Sequence, residues 1–453
     1  MAKPVGIQGY FPLASGETVF VLRYSDYISL NEEVVAHTTI GPDGYFFVEL
    51  SLEHPAPLLI EIAFHRVSLY AIPGKSYKVR SEEFQVQENA NPLRPESIIP
   101  CAIHGPETDS LLRALDASIA ALLDTAAYEI YLKQNVAPLE SLTLKASENP
   151  DPMYRSCAAY YLATLYPGAR LPLGLSSFNE IKPDYYSWYF FTWLDDYLSK
   201  SLTRDNPLAA RSDFTRNLVQ VVNKEENLSK FKERIQQHFN LRDSTLTDYV
   251  TLAALKVLYR TPVYQNTAVL SLIRQFAAQA ASPPLARIAD NLIQRFTWLA
   301  PSTLLPSFTT RTMSGDTLQA AQLKGRPIYL VFARQYCNSC LNSLELLRPL
   351  YDRFKGKWEI IAFFTSHDTA SEAAFVRKMQ YPWPVVIAGR DYDLQRTFRA
   401  YSLPLEALVN DKGEIVAWPA YRPGEGLEAL LEKMLNPGVS PRKNSPVIPP
   451  RKY

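Results

Sequence analysis

The chain has 453 residues, of which 47% are hydrophobic and 21% charged, and 47 Lys+Arg against 46 Asp+Glu leave a formal net charge of +1. That length exceeds one ordinary domain, and the near-neutral balance supplies no global field for nucleic acid or an anionic membrane, which sets nucleic-acid binding aside as a main role. No apolar run approaches the ~20 residues of a membrane-spanning helix, and four cysteines are too few for a disulfide-stapled scaffold.

The opening Met1-Ala2-Lys3-Pro4 lacks the apolar core of a signal peptide, so the sequence itself shows no export signal. Patterned strand sequence begins at Val5. Apolar and polar residues alternate in Thr18–Leu22, Val34–Thr38, Tyr45–Leu50, Leu58–Phe64 and Tyr77–Arg80. Pro42-Asp43-Gly44 and Pro73-Gly74-Lys75 carry the residues of tight turns between them. Residues 1–100 are therefore expected to form a small antiparallel β-sandwich.

From about residue 106 the period changes. Leu111, Leu112, Leu115, Ile119, Leu122 and Leu123 follow a helical stripe, as do Leu246, Tyr249, Val250, Ala253 and Val257. Residues 101–300 read as an all-α region of roughly six to eight helices. Within it, Pro183–Trp193 is dense in aromatics, which suits either a partner surface or a helix buried on several sides; the second is the expectation. Cys101 and His104 have a ligand-like spacing, but no second pair accompanies them, and no metal or other cofactor is expected. Cys157 lies in a helical pattern and is expected in the core; whether it pairs with Cys101 is left open.

Residues 301–436 alternate strand and helix. Ile328–Phe332 has the composition of a buried central strand and runs directly into Cys337-Asn338-Ser339-Cys340, which opens a helical stripe of Leu344, Leu347, Leu350, Tyr351 and Phe354. A second buried strand at Trp358–Phe364, a helix near 370–380, short strands at Val385–Ile387, Ala407–Val409 and Glu414–Val416, and a last helix near 425–435 complete the pattern. A C-x-x-C at the start of a helix places the first sulfur against unpaired N–H groups that favour thiolate, with the second sulfur one turn further on. Cys337 is thus the expected nucleophile and Cys340 the resolving thiol. The tail 437–453 is rich in Pro, carries Arg442, Lys443, Arg451 and Lys452 without an acid, and is expected to be a flexible or extended extension.

Residues 301–436 resemble the TlpA/ResA branch of the thioredoxin superfamily in four blocks: Leu305–Phe308 through Leu323–Pro327, the Cys pair, Phe398–Pro404, and Val409–Val416. The resemblance implies a cis-proline at Pro404 facing the Cys pair. It also implies substrate contact by the backbone of Leu403 and by Tyr336, which stands where the family usually has Trp. Other departures are Ser339 for the usual Pro, Ser343 for a Glu that assists proton transfer, and Glu345 for a helix-kinking Pro. In overall order the chain resembles exported thioredoxin-like proteins of the Bacteroidetes type, often lipoproteins. The implied function is thiol–disulfide exchange, in the reductive direction, on protein thiols or disulfides of the periplasm or outer membrane. The alternative is a non-catalytic binding or scaffold subunit of an envelope protein complex that keeps the fold for its shape.

Overall fold

The computed structural model describes residues 2–87, 98–167, 174–179, 183–202 and 213–435. The expected tail at 437–453 lies outside these residues. The chain divides into two compact units. One is drawn from Met1–Ile62, Arg66–Gln85 and Ile99–Arg295, the other from Ala63–His65, Val86–Ile98 and Phe296–Tyr453.

The first unit begins with eight strands: β1 Lys3–Tyr10, β2 Thr18–Tyr24, β3 Glu32–Thr39, β4 Tyr45–Leu52, β5 Ala56–Ile62, β6 His65–Ala71, β7 Ser76–Arg80 and β8 Ala102–His104. They form two four-stranded sheets, ordered β4-β1-β7-β8 and β3-β2-β5-β6. Strict alternation in β4 buries Phe46, Val48, Leu50 and Leu52 on one face and leaves Tyr45 and Phe47 exposed on the other. Gly44 closes the turn before β4 at φ +80°, a conformation that glycine adopts without penalty. One pair departs from the antiparallel expectation. β7 lies parallel to β1, with Ile7 opposite Tyr77, because the chain passes through β5 and β6 of the other sheet before it enters beside β1 in the same direction.

Nine helices follow among the described residues: α1 Glu107–Tyr131, α2 Ala137–Ser147, α3 Pro152–Thr164, α4 Trp188–Leu202, α5 Asp213–Gln220, α6 Leu228–His238, α7 Ser244–Tyr259, α8 Asn266–Gln279 and α9 Pro283–Thr297. This exceeds the six to eight expected, because connections as short as 148–151, 239–243 and 280–282 leave room for more helices, several of them begun by a polar cap. Asp151 accepts from Met153 and Tyr154, Asn227 from Lys230 and Asp243 from Leu246, each at the first turn of a helix. Phe190, Phe191 and Trp193 of the aromatic stretch are buried in α4, and α7 is buried on nearly every side. Asp109, 2% exposed in the first turn of α1, accepts from the Tyr70 backbone N–H at 3.1 Å and so ties β6 to the helices.

The second unit holds a hairpin of β9 Thr309–Arg311 and β10 Thr317–Gln319, then a five-stranded sheet ordered β13-β12-β11-β14-β15. Its strands are β11 Ile328–Ala333, β12 Glu359–Phe364, β13 Val385–Ile387, β14 Leu405–Val409 and β15 Ile415–Ala417; its helices are α10 Asn338–Arg353, α11 Thr369–Met379, α12 Tyr392–Thr397 and α13 Leu427–Leu435. β11, β12 and β13 are parallel, whereas β14 runs antiparallel to β11 and β15 antiparallel to β14. Every residue of β11 is buried, which is why its sequence is uniformly apolar instead of alternating. Tyr329, Val331 and Ala333 pack on one face with α10 and α13 through Leu344, Leu347 and Leu431. Leu330 and Phe332 face the other side with Phe363, Phe398 and Ile415. This is a thioredoxin fold, and it places the C-terminal end of β11, its central strand, beside the start of β14.

Candidate redox site

The site grows from the end of β11. After Ala333 the chain turns through Arg334, Gln335 and Tyr336, and Cys337 caps the N-terminus of α10. Cys337 and Cys340 are disulfide-bonded, with Cα atoms 5.2 Å apart. Their environments differ. Cys337 is half-buried, whereas Cys340 is 0% exposed within the core under α10. The Cys340 backbone N–H donates to Cys337 Sγ at 3.2 Å, and Ser339 Oγ lies 3.4 Å from the same sulfur. A sulfur held at a helix N-terminus by an N–H donor has its thiolate favoured once the bond is reduced. Approach from solvent meets Cys337 first.

The remaining expected residues lie close by. The Leu403–Pro404 bond is cis. Register opposes Leu405 to Phe332, so Pro404 immediately precedes β14, beside the end of β11 that leads into the Cys pair. Leu403 packs against the same apolar cluster as Cys337 and Cys340. Tyr336, next to the exposed sulfur, is itself 77% exposed. Trp418–Pro419 is a second cis bond, which nothing in the sequence pattern singled out.

Sequence reading missed Glu406. It lies in β14, two residues beyond Pro404, and is 1% exposed. Ser343 Oγ donates to its Oε1 at 3.2 Å, and Arg422 Nε lies 3.3 and 3.4 Å from its two oxygens. Arg422 also donates to the Pro404 carbonyl at 3.2 Å. Burial pushes the Glu406 carboxyl above the usual carboxylate range; Arg422 and Ser343 oppose this, and Glu425 adds to it. The available signal was a lone acid inside the otherwise apolar run Leu405–Val409. A charge there is costly unless paired, and Arg422 is 13 residues beyond the strand's end, too far for sequence spacing to connect them.

Cys101 and Cys157 are both free, which closes the pairing question. Burial pushes the Cys157 thiol up to about 12 and the Cys101 thiol up to about 11. Among the described residues no group of three or more His, Cys, Asp or Glu could hold a metal ion, and no helix is long and apolar enough to cross a membrane. The first unit does contain a cleft of about 590 Å³, lined in part by Tyr24, Tyr27, Tyr185, Tyr249, Asp26 and Arg287.

A central parallel strand, a disulfide opening the next helix and a cis-proline starting the antiparallel neighbour define the class: a thioredoxin-like domain with a redox-type Cys pair. Residues 301–418 match the AhpC/TSA family, and this part of the chain is a thioredoxin-like domain of that kind, similar to ResA. Over 131 residues it is 24% identical to the thiol-disulfide oxidoreductase ResA of Bacillus thuringiensis and 26% identical to that of Bacillus anthracis. In each case the match covers 28% of this chain and 75% of the relative. Among solved structures, the thioredoxin domain of a thiol-disulfide oxidoreductase from Bacteroides vulgatus is 22% identical with a TM-score of 0.28, covering 30% of this chain and 99% of that one.

Proposed function

We propose that this protein performs thiol–disulfide exchange on protein substrates, with Cys337 as nucleophile and Cys340 as resolving thiol. The observation that carries the reading is the asymmetry of the pair: a half-exposed sulfur at the N-terminus of α10, bonded to a fully buried one a turn further in. Attack by the Cys337 thiolate on a substrate disulfide forms a mixed disulfide, and attack by Cys340 on Cys337 releases the substrate reduced. Pro404, Leu403 and Tyr336 are assigned the substrate-contact role. The reductive direction and a setting in the cell envelope, periplasmic or at the outer membrane, belong to the same proposal; the naming of the Bacillus relatives as thiol-disulfide oxidoreductases supports its chemistry.

A Cys340→Ser variant is expected to accumulate mixed disulfides through Cys337, seen as higher-mass bands on non-reducing gels that collapse with dithiothreitol. If the variant, expressed in the native host, yields no such adducts while the wild-type pair cycles freely between dithiol and disulfide, protein exchange is overturned. Recovery of wild-type protein and its adducts in the cytosolic fraction would overturn the envelope setting.

A second reading, binding through the first unit, is favoured by its aromatic-lined cleft, since aromatic side chains dominate contact energetics. It predicts a co-purifying partner that persists in a Cys337→Ser/Cys340→Ser double variant. As to organisation, we propose that residues 1–100 act as a sandwich module and 101–300 as a helical domain, joined to the thioredoxin-like domain at 301–436. Limited proteolysis that fails to release a stable fragment beginning near residue 301 would break that division.

A further inference from the structure

When Cys340 attacks the mixed disulfide it must lose a proton, and it is 0% exposed, so bulk water cannot take that proton directly. On its own helix the residue one turn further on is Ser343, which is also buried and cannot act as a base by itself. The missing acid comes from the neighbouring strand. Register pairs Glu406 with Val331, which places the Glu406 side chain on the face of the sheet that carries Tyr329, Val331 and Ala333 and is covered by α10. Cys340 and Ser343 lie three apart on one helix face, where side chains are neighbours. Ser343 Oγ already donates to Glu406 at 3.2 Å, which leaves the lone pairs of the hydroxyl open to a second donor.

We propose that Glu406 accepts the Cys340 proton through the Ser343 hydroxyl, so that β14 supplies the proton acceptor that α10 lacks. This rests on the exchange reading above. The step balances as follows. Ser343 passes its hydroxyl proton to Glu406 and takes the Cys340 proton in its place. The Cys340 thiolate attacks Cys337 sulfur, the Cys337–Cys340 bond forms, and the bond from Cys337 to the substrate breaks. The electron pair leaves on the substrate sulfur, which takes a proton from solvent. The Cys pair is oxidised by two electrons and the substrate disulfide is reduced. Glu406, 1% exposed, holds that proton until the pair is reduced again, when the same path returns it through Ser343 to the departing Cys340 thiolate.

A structural reading of the Glu406–Arg422 pair makes a different prediction. A buried ion pair used only as a clamp stabilises little over an apolar replacement, and its removal changes no proton transfer. The charged and titratable groups around Glu406 are Arg422, Glu425 and Tyr329, with Ser343 from the helix. Arg422 holds Glu406 toward its ionised form, which is the form able to accept a proton. Burial pushes the carboxyl the other way, and so makes the proton easier to hold once accepted. Glu406 and Ser343 are thus positioning residues for the transferred proton.

The test uses the full chain carrying Cys101→Ala/Cys157→Ala, so that only the Cys337–Cys340 pair can react, reduced, against excess Ellman's reagent in a stopped flow. The first thionitrobenzoate released reports attack by Cys337, and the second reports resolution by Cys340. In Glu406→Gln and Ser343→Ala the first release is expected to stay within about twofold of wild type. The second is expected to slow by about 100-fold, the low end of what positioned acid–base groups contribute. Its pH profile is expected to lose the Glu406 inflection and rise about tenfold per pH unit, as direct ionisation of Cys340 requires. Glu406→Asp should restore part of the rate. If Glu406→Gln fails to fold, Ser343→Ala decides the question. Wild-type rate and pH profile of the second release in the folded variants would overturn the proposal while leaving exchange intact. Absence of the first release in the wild-type protein would overturn the exchange reading and this proposal with it.

Discussion

Each of the two units carries two cysteines, and their surroundings set them apart. In the first unit Cys157 is buried on α3 beside Tyr70, and burial pushes its thiol up to about 12. Cys101 is less buried, yet its thiol also stands above the ordinary value, at about 11. In the second unit Cys337 opens a 16-residue helix, accepts the Cys340 N–H and faces solvent in part. The same side chain therefore meets a penalty on its thiolate in one place and the N-terminus of a helix in the other, the setting the proposed nucleophile requires. What differs is the field: apolar surroundings penalise the thiolate, while oriented N–H groups favour it. The four cysteines are told apart by the surroundings of each sulfur and not by cysteine content.

The sharpest way to break the contrast is to remove each set in turn. Cys337→Ser is expected to abolish reduction of a model disulfide, whereas Cys101→Ala/Cys157→Ala should retain the wild-type rate, measured by turbidity of reduced insulin. Loss of activity in the second variant would mean that the first unit takes part in exchange. A stability comparison comes next. Trp358, 0% exposed under the central sheet of the second unit, should cost about 3–5 kcal/mol when changed to Ala. Asp151→Ala, which removes the cap of α3 in the first unit, should cost about 1 kcal/mol. Urea unfolding of the oxidised protein checks both values, and similar costs would remove the distinction between a core and a cap.

The smallest effect is a pH dependence confined to the second unit. Burial raises the folded-state pKa of Glu406 above its ordinary value. Between those two values the native state binds more protons than the unfolded state, so stability falls as pH rises through the window. Oxidised wild-type protein should therefore lose stability relative to Glu406→Gln as pH rises above the ordinary carboxylate range. A difference that stays flat, or changes in the opposite direction, would show that Glu406 is not held above its ordinary range.

Much of the second unit was legible because its chemistry is local. The strand at Ile328–Ala333 reads as fully buried from its composition, and a C-x-x-C directly after such a strand and before a helical stripe points to a redox pair far more than to half a zinc site. The first unit was legible in outline. Alternation located β2, β4 and β7, but not His65–Ala71: its buried first residue, His65, is polar and its last three residues are all buried, so only Val67-Ser68-Leu69 alternates in the sequence. The number of helices was underestimated for a related reason. Helix ends are decided by single capping side chains such as Asn227 and Asp243, which carry little weight in a periodicity.

The residues themselves determine the position of the Cys pair, the order of strands and helices around it, and the choice of Cys337 as the outward sulfur, because each depends on neighbours within a turn or a strand. Tertiary structure decided what lies behind that pair. Ser343 read as the loss of a proton acceptor as long as only its own helix was considered. The fold brings Glu406 from 63 residues away to within 3.2 Å of it and adds Arg422 from a third segment. Pairing across a sheet is set by register and by the packing of α10 over it, and neither leaves a short-range trace in the order of amino acids.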